Sequence, residues 1–263
     1  MHKEDFEYLY NLEETLWWFV GMREITSALL DLEAQFPEDK MILDAGCGTG
    51  GMLSWLKRYV GEGKVFGIDL VEDALVFCRR RHRQNIAQAS VTSLPFADCV
   101  FDLVTSFDVL VQLPGMQMDE IAIGEMHRVL RPRGLVFVRV AAYNWMRSGH
   151  DKALGSQRRY SIKQLTRKVE KAGFQILRAT YANSFLLPIA VARRLLLKKI
   201  GLVDSGSDVK PFPKNFQFLN KAFTNILKKE AVILQNPAAS LRAGLSIICL
   251  ARKVENDTDQ IYK

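Results

Sequence analysis

Between a short apolar run, Met41-Ile42-Leu43, and a stretch of helical spacing stand Asp44-Ala45-Gly46-Cys47-Gly48-Thr49-Gly50-Gly51. Glycine lets a backbone turn tightly and approach a ligand with no Cβ in the way. The amides that open a following helix point at a negative or polar group. Asp69, 19 residues after Gly50, ends the next apolar run, where a carboxylate accepts both hydroxyls of a ribose. These residues suit a nucleoside-containing cofactor. Gly46-x-Gly48-x-x-Gly51 formally satisfies the dinucleotide fingerprint, which keeps a nicotinamide cofactor and an oxidoreductase in play. Asp44 favours another ligand, because a carboxylate at that strand end repels a pyrophosphate and attracts an ammonium or a sulfonium. S-adenosylmethionine carries both cations and a ribose.

The elements that must position these residues alternate along the chain. Residues 4–32 read as helical. Strands are expected at 41–44, 64–70, 86–91, 101–107, 135–140 and 174–182, with helices at 49–59, 72–83, 118–130 and from Ser161. Ser161 and Gln164 form a capping box, and Gly173 closes that helix. Arg131-Pro132-Arg133-Gly134 reads as the stop of the helix at 118–130, since proline lacks an N–H and glycine accepts positive φ. Alternation of this kind means an α/β fold with a mostly parallel, helix-covered sheet. Residues 184–235 break the pattern with apolar and basic helical material interrupted by Pro188, Pro211 and Pro213, and a last strand follows at 245–251. An insert of that length is too long for a plain connection and reads as a cap. The organisation expected is a helical lid at 1–34, a core of 35–183 with 243–253, a helical cap at 184–242 and a polar tail at 254–263.

With 263 residues, 48% hydrophobic and 25% charged, the chain is an ordinary globular one and not a disordered, collagen-like or disulfide-scaffold protein. Four scattered cysteines without a CxxC pair, and four histidines without HExxH spacing, argue against a zinc site; no metal is expected. The charged start, Met1-His2-Lys3-Glu4-Asp5, does not resemble a secretory signal. The longest apolar stretch, Phe185 to Ala192, falls far short of the roughly 20 residues of a membrane span. A cytoplasmic protein is expected. The net charge of +7, with Lys and Arg spread along the chain, reads as a solvated basic surface and leaves nucleic acid or an anionic membrane as competing partners.

Four ordered motifs, ILDAGCGTG (42–50), VFGIDL (65–70), SLPFADCVFDLV (93–104) and HRVLRPRGLVFV (127–138), resemble those of the class I S-adenosylmethionine-dependent methyltransferases, notably the broad small-molecule group. The resemblance covers residues 40–140 well and 161–183 loosely. It implies a Rossmann-like seven-stranded sheet, helices on both faces, with an antiparallel last strand. It also implies that Asp44, Ala45, Gly46, Cys47, Gly48 and Gly50 hold the methionine part of the cofactor, Asp69 the ribose, and Leu70 the adenine. Many relatives have an acid where this chain has Ser90, so the adenine amino group falls to the Ser90 hydroxyl or the Val91 and Thr92 backbone. Phe107 and Asp108 would flank the sulfonium. S-adenosylhomocysteine would be the product.

Methyl transfer is an in-line displacement in which the enzyme supplies alignment, a dry site and, for a protonated acceptor, a base. His150, Asp151 and Asp108 are the candidate bases, with Arg159 and Tyr160 close behind in sequence; a plain polar surface loop is the competing reading. Trp17-Trp18-Phe19 reads first as core packing. The functional alternative is a lid in which Trp18 closes over the cofactor and Arg23 reaches a carboxylate. The segment 184–200, with Arg193, Arg194, Lys198 and Lys199 on apolar helical material, invites a peripheral membrane or lipid contact, against packing on its own domain or in a dimer. A small, apolar or aromatic acceptor is expected. Where base methyltransferases of this fold carry an Asn/Asp-Pro-Pro-aromatic motif, this chain has Ser106-Phe107-Asp108-Val109, which argues against nucleic acid; no paired-glutamate loop of an arginine methyltransferase is visible either. An RNA methyltransferase and a cofactor-binding subunit without catalysis remain the alternatives, and the oligomeric state stays open.

Overall fold

A computed structural model describes residues 3–34, 39–147, 149, 151, 155–199, 213 and 216–255. Seven strands form one sheet: β1 (Met41–Ala45), β2 (Lys64–Asp69), β3 (Ile86–Gln88), β4 (Phe101–Phe107), β5 (Leu130–Ala141), β6 (Phe174–Ala182) and β7 (Ser246–Lys253). Their order is β3-β2-β1-β4-β5-β7-β6, parallel from β3 to β5, with β7 antiparallel to both β5 and β6. The central strands are apolar on both faces because helices cover both, as parallel pairing requires. The helices are α1 (Lys3–Leu12), α2 (Trp17–Leu30), α3 (Gly51–Leu56), α4 (Glu72–Arg80), α5 (Met118–Val129), α6 (Ile162–Lys171), α7 (Leu187–Lys199) and α8 (Gln217–Leu234).

One face of the sheet packs on α5 and α6 through Ala122, Ile123, Met126, Leu165 and Val169. The other packs Ile42, Leu103, Phe137, Ile248 and Leu250 against α2 and α8. Within the segment expected as a cap, α8 runs beside α2 and packs on the sheet. Asn220 ties its first turn to the N-terminal segment: its carbonyl accepts the Trp17 amide (2.8 Å) and its amide donates to the Thr15 carbonyl (3.1 Å). Leu227, wholly buried, lies so close to Gly21 that a β-carbon there would stand 2.4 Å from it.

Two expectations change. The helix expected over 4–32 is two helices broken at 13–16. Arg131-Pro132-Arg133-Gly134 lies inside β5, after a helix that ends at Val129. Asp102 explains the second change: its carboxylate accepts from the Met41 amide (2.9 Å) and from Arg131 Nη1 (2.9 Å), which anchors the segment at the β4 edge. The register of β4 on β5 shifts there and Arg133 adopts φ +66°, so the proline sits at an irregularity that a strand tolerates. The Ser161 box forms as expected, with the Gln164 amide donating to Ser161 Oγ and the Ser161 amide to Gln164 Oε1.

Candidate cofactor and acceptor site

In this strand order the chain reverses its winding at β1, whose neighbours are β2 and β4, and ligands of open α/β sheets bind at the carboxyl ends of the strands at such a point. Asp44, Asp69 and Phe107 stand at those ends. Beyond β1 the chain folds back on β2, with the Gly46 and Cys47 amides both donating to the Ile68 carbonyl (2.9 and 2.8 Å). Gly46 has φ +93°, and a β-carbon on it would meet Val109 at 2.2 Å, so only glycine passes there. Around Gly48 the opposite holds: among the described residues, none beyond its chain neighbours has an atom within 4 Å of where its β-carbon would stand. That is the open side of the loop.

Asp44 is buried, and Thr105 Oγ1, opposite it on β4, donates to its Oδ1 at 2.8 Å. Burial raises its pKa to about 7, against which the Thr105 bond and the Arg139 charge work. Asp69 accepts the Gly48 amide on Oδ2 and the Val71 amide on Oδ1, each at 2.9 Å, and burial raises its pKa too. Each of its oxygens retains a lone pair for a further donor. Leu70 is 65% exposed next to it. Ser90 Oγ pairs with Thr92 Oγ1 at 2.7 Å and accepts the Thr92 amide, just past β3.

Glu13, which the sequence did not single out, reaches this loop from the break between α1 and α2. Thr49 Oγ1 and Arg81 Nη2 donate to its Oε1 at 2.6 and 2.8 Å, and its carboxylate abuts Gly51 at the start of α3. Arg81 also donates to the Tyr10 carbonyl and contacts Glu14, so the N-terminal segment is latched over the glycine loop. Arg23, expected to reach a carboxylate, instead donates to the Glu13 and Glu14 carbonyls and braces that turn.

Past β4, Asp108 adopts φ +60°, a rare conformation for a non-glycine residue. Arg139 of β5, in register with Phe107, donates from Nε to Asp108 Oδ2 at 2.8 Å. Its guanidinium lies 4.7 Å from the Trp18 ring centre and 5.0 Å from that of Phe107. A lone arginine inside the apolar run LVFVRV was the signal for this contact in the sequence. Trp18 therefore lies against Arg139, beside Phe107 and Asp108, while Trp17 is core, edge-on to Phe223.

The other acceptor-side residues that are described pair with one another and with nearby carbonyls, and the Tyr160 hydroxyl also lies 3.4 Å from the Leu110 carbonyl in the loop after β4. Asp151 and Arg159, both buried, pair through two contacts (2.7 and 3.1 Å), and Arg159 also donates to the Ala142 carbonyl. The Tyr160 hydroxyl donates to buried Asp119 (2.7 Å). These are bonds that hold the segment after β5 in place. His150 lies outside the described residues.

Residues 43–138 match a family model described as a methyltransferase domain. Over that span the sequence is similar to a methyltransferase domain. Over 102 residues, 37% of this chain and 35% of the relative, the domain is 39% identical to a fatty-acid O-methyltransferase of Mycolicibacterium smegmatis. Over 98 residues it is 32% identical to the phthiotriol/phenolphthiotriol dimycocerosates methyltransferase of Mycobacterium tuberculosis, covering 36% of this chain and 35% of that one. The chain thus spans about a third of the length of these curated relatives. The methyltransferase fold extends further than the sequence match. A solved phosphoethanolamine N-methyltransferase 2 of Haemonchus contortus, in complex with S-adenosyl-L-methionine, superposes with TM-score 0.55 over 87% of this chain and 52% of that one, at 18% identity.

Proposed function

We propose that the protein transfers a methyl group from S-adenosylmethionine to an apolar acceptor of the fatty-acid class. The observation that carries the cofactor assignment is Asp44, a buried carboxylate at the switch point facing a glycine loop that is open at Gly48. When bound, S-adenosylmethionine supplies an activated methyl on a sulfonium. Asp44 takes the ammonium of its methionine part, with the Ala45 to Gly50 backbone alongside. Asp69 accepts the ribose hydroxyls, exposed Leu70 packs on adenine, and Ser90 with the Val91 and Thr92 backbone meets the adenine edge. Phe107, Trp18 and the Arg139–Asp108 pair wall the side from which an acceptor approaches.

The base roles expected for Asp108 and Asp151 would break guanidinium pairs that both residues already make. An acceptor that arrives ionised, as a carboxylic acid does at neutral pH, dispenses with a base. Alignment and exclusion of water then suffice. The name of the fatty-acid O-methyltransferase relative supports this class of acceptor.

The test is to incubate the protein with S-adenosylmethionine and fatty acids of graded length, alongside aromatic hydroxy acids and RNA, and to measure S-adenosylhomocysteine release and methyl-ester mass. Ester formation with chain-length preference is the expected result. Cofactor binding without release on any acceptor would replace this reading with a non-catalytic binding subunit, and release on RNA alone would move the acceptor to nucleic acid.

A further inference from the structure

The positive charge of this protein is not evenly distributed. Residues 184–242 contain ten Lys and Arg against three Asp and Glu, an excess of seven, which equals the +7 of the entire chain; the rest is balanced. The spread seen along the sequence is thus a spread of basic residues, not of net charge. The same segment exposes large apolar side chains: Phe185, Ile189, Phe216, Phe218, Val232 and Ile233. On α8 the two properties share a stripe. Phe218, Lys221, Ala222, Asn225, Lys228, Lys229 and Val232 recur at helical spacing and are all exposed, whereas Leu227, Glu230, Ala231 and Leu234 point into the core. Phe218 and Val232 are 63% and 64% exposed. Lys228 has Glu24 of α2 at 3.6 Å, a loose pair at the surface, and the outward stripe itself carries no acid.

The last turn of α8 meets the start of α7. Buried Glu230 accepts the Ser184 and Phe185 amides on Oε2 (2.8 and 3.3 Å), so the Phe185 end of one helix is fixed against the Val232 end of the other. No helix among the described residues is long and apolar enough to cross a membrane. A basic, apolar-tipped helical surface of this kind rests in the headgroup layer of a bilayer and does not span it.

We propose that the outward face of α8, with the start of α7, is a docking surface for an anionic lipid bilayer. Lysines near such a surface are attracted within a Debye length, and the exposed rings insert at the headgroup boundary. The proposal goes beyond the methyl-transfer reading and does not depend on it, since α8 packs on α2 and contributes no residue to the site described above.

Co-sedimentation of the full chain with phosphatidylcholine vesicles containing 30% phosphatidylglycerol, against pure phosphatidylcholine, tests it. Partitioning about tenfold or more in favour of the anionic vesicles at 0.1 M salt, falling at 0.5 M, is expected. Phe218→Ser/Val232→Ser and Lys221→Glu/Lys229→Glu should each reduce binding about tenfold, with unchanged thermal unfolding and S-adenosylhomocysteine affinity. Equal partitioning to both vesicles, or variants that bind as the parent does, would overturn it. So would a dimer in light scattering that Phe218→Ser/Val232→Ser dissociates, because the face would then belong to a second copy. Loss of S-adenosylhomocysteine binding in the parent would sink the methyl-transfer reading and leave the vesicle result standing.

Discussion

Asp44 ties sequence, electrostatics and chemistry together at the scale of one residue. Burial raises its pKa to about 7, so between pH 4 and 7 the folded chain holds a proton that the unfolded chain releases. Stability from this group is therefore full below the unfolded pKa near 4 and lost as pH rises through about 7. Burial raises the pKa values of Asp69 and Glu13 as well, and they add to the same slope. The melting temperature of the ligand-free protein should accordingly fall from pH 5 to pH 8, and Asp44→Asn should flatten part of that fall. A cation placed against Asp44 favours its ionised form. Titration with S-adenosylmethionine at pH 6.5 should thus release a proton, visible as a heat that depends on the buffer's ionisation enthalpy, and Asp44→Asn should abolish that dependence. A buffer-independent heat in the parent protein would detach Asp44 from the ligand.

At the scale of elements, the glycine loop and its strand were readable because a buried parallel strand must be an apolar run, and a sharp turn at positive φ must be glycine. Thr105 and Glu13 were not readable, since their partners come from elements 61 and 36 residues away. For the same reason the Tyr160–Asp119 bond was not readable, since its partners lie 41 residues apart. The α2–α8 contact offers a direct test of the layer. Gly21→Ala would put a methyl 2.4 Å from the Leu227 side chain. Overpacking of this kind costs about 1–3 kcal/mol. Denaturant unfolding should report that loss, and Gly21→Ala/Leu227→Ala should lose less than the sum of the two single variants. Additive losses would mean that the two helices do not bear on each other there.

For the molecule as a whole, three layers with their switch point at β1 and β4 explain why carboxylates from β1 and β2 and aromatics from β4 and α2 meet at one edge. The N-terminal helices complete that edge through the Glu13 latch. The seven-stranded sheet and its antiparallel β7 were legible from alternation and family resemblance; the placement of α8 was not, because an apolar helix satisfies a layer and a cap equally well in sequence. Whether this edge holds S-adenosylmethionine is decided by isothermal titration of the purified chain with S-adenosylhomocysteine, with NADH in parallel. One site of micromolar affinity for S-adenosylhomocysteine is expected, with no heat from NADH and a loss of about 1–3 kcal/mol in Asp69→Ala as the ribose hydrogen bonds go. Binding of NADH alone, or an affinity for S-adenosylhomocysteine that Asp69→Ala leaves unchanged, would contradict that expectation.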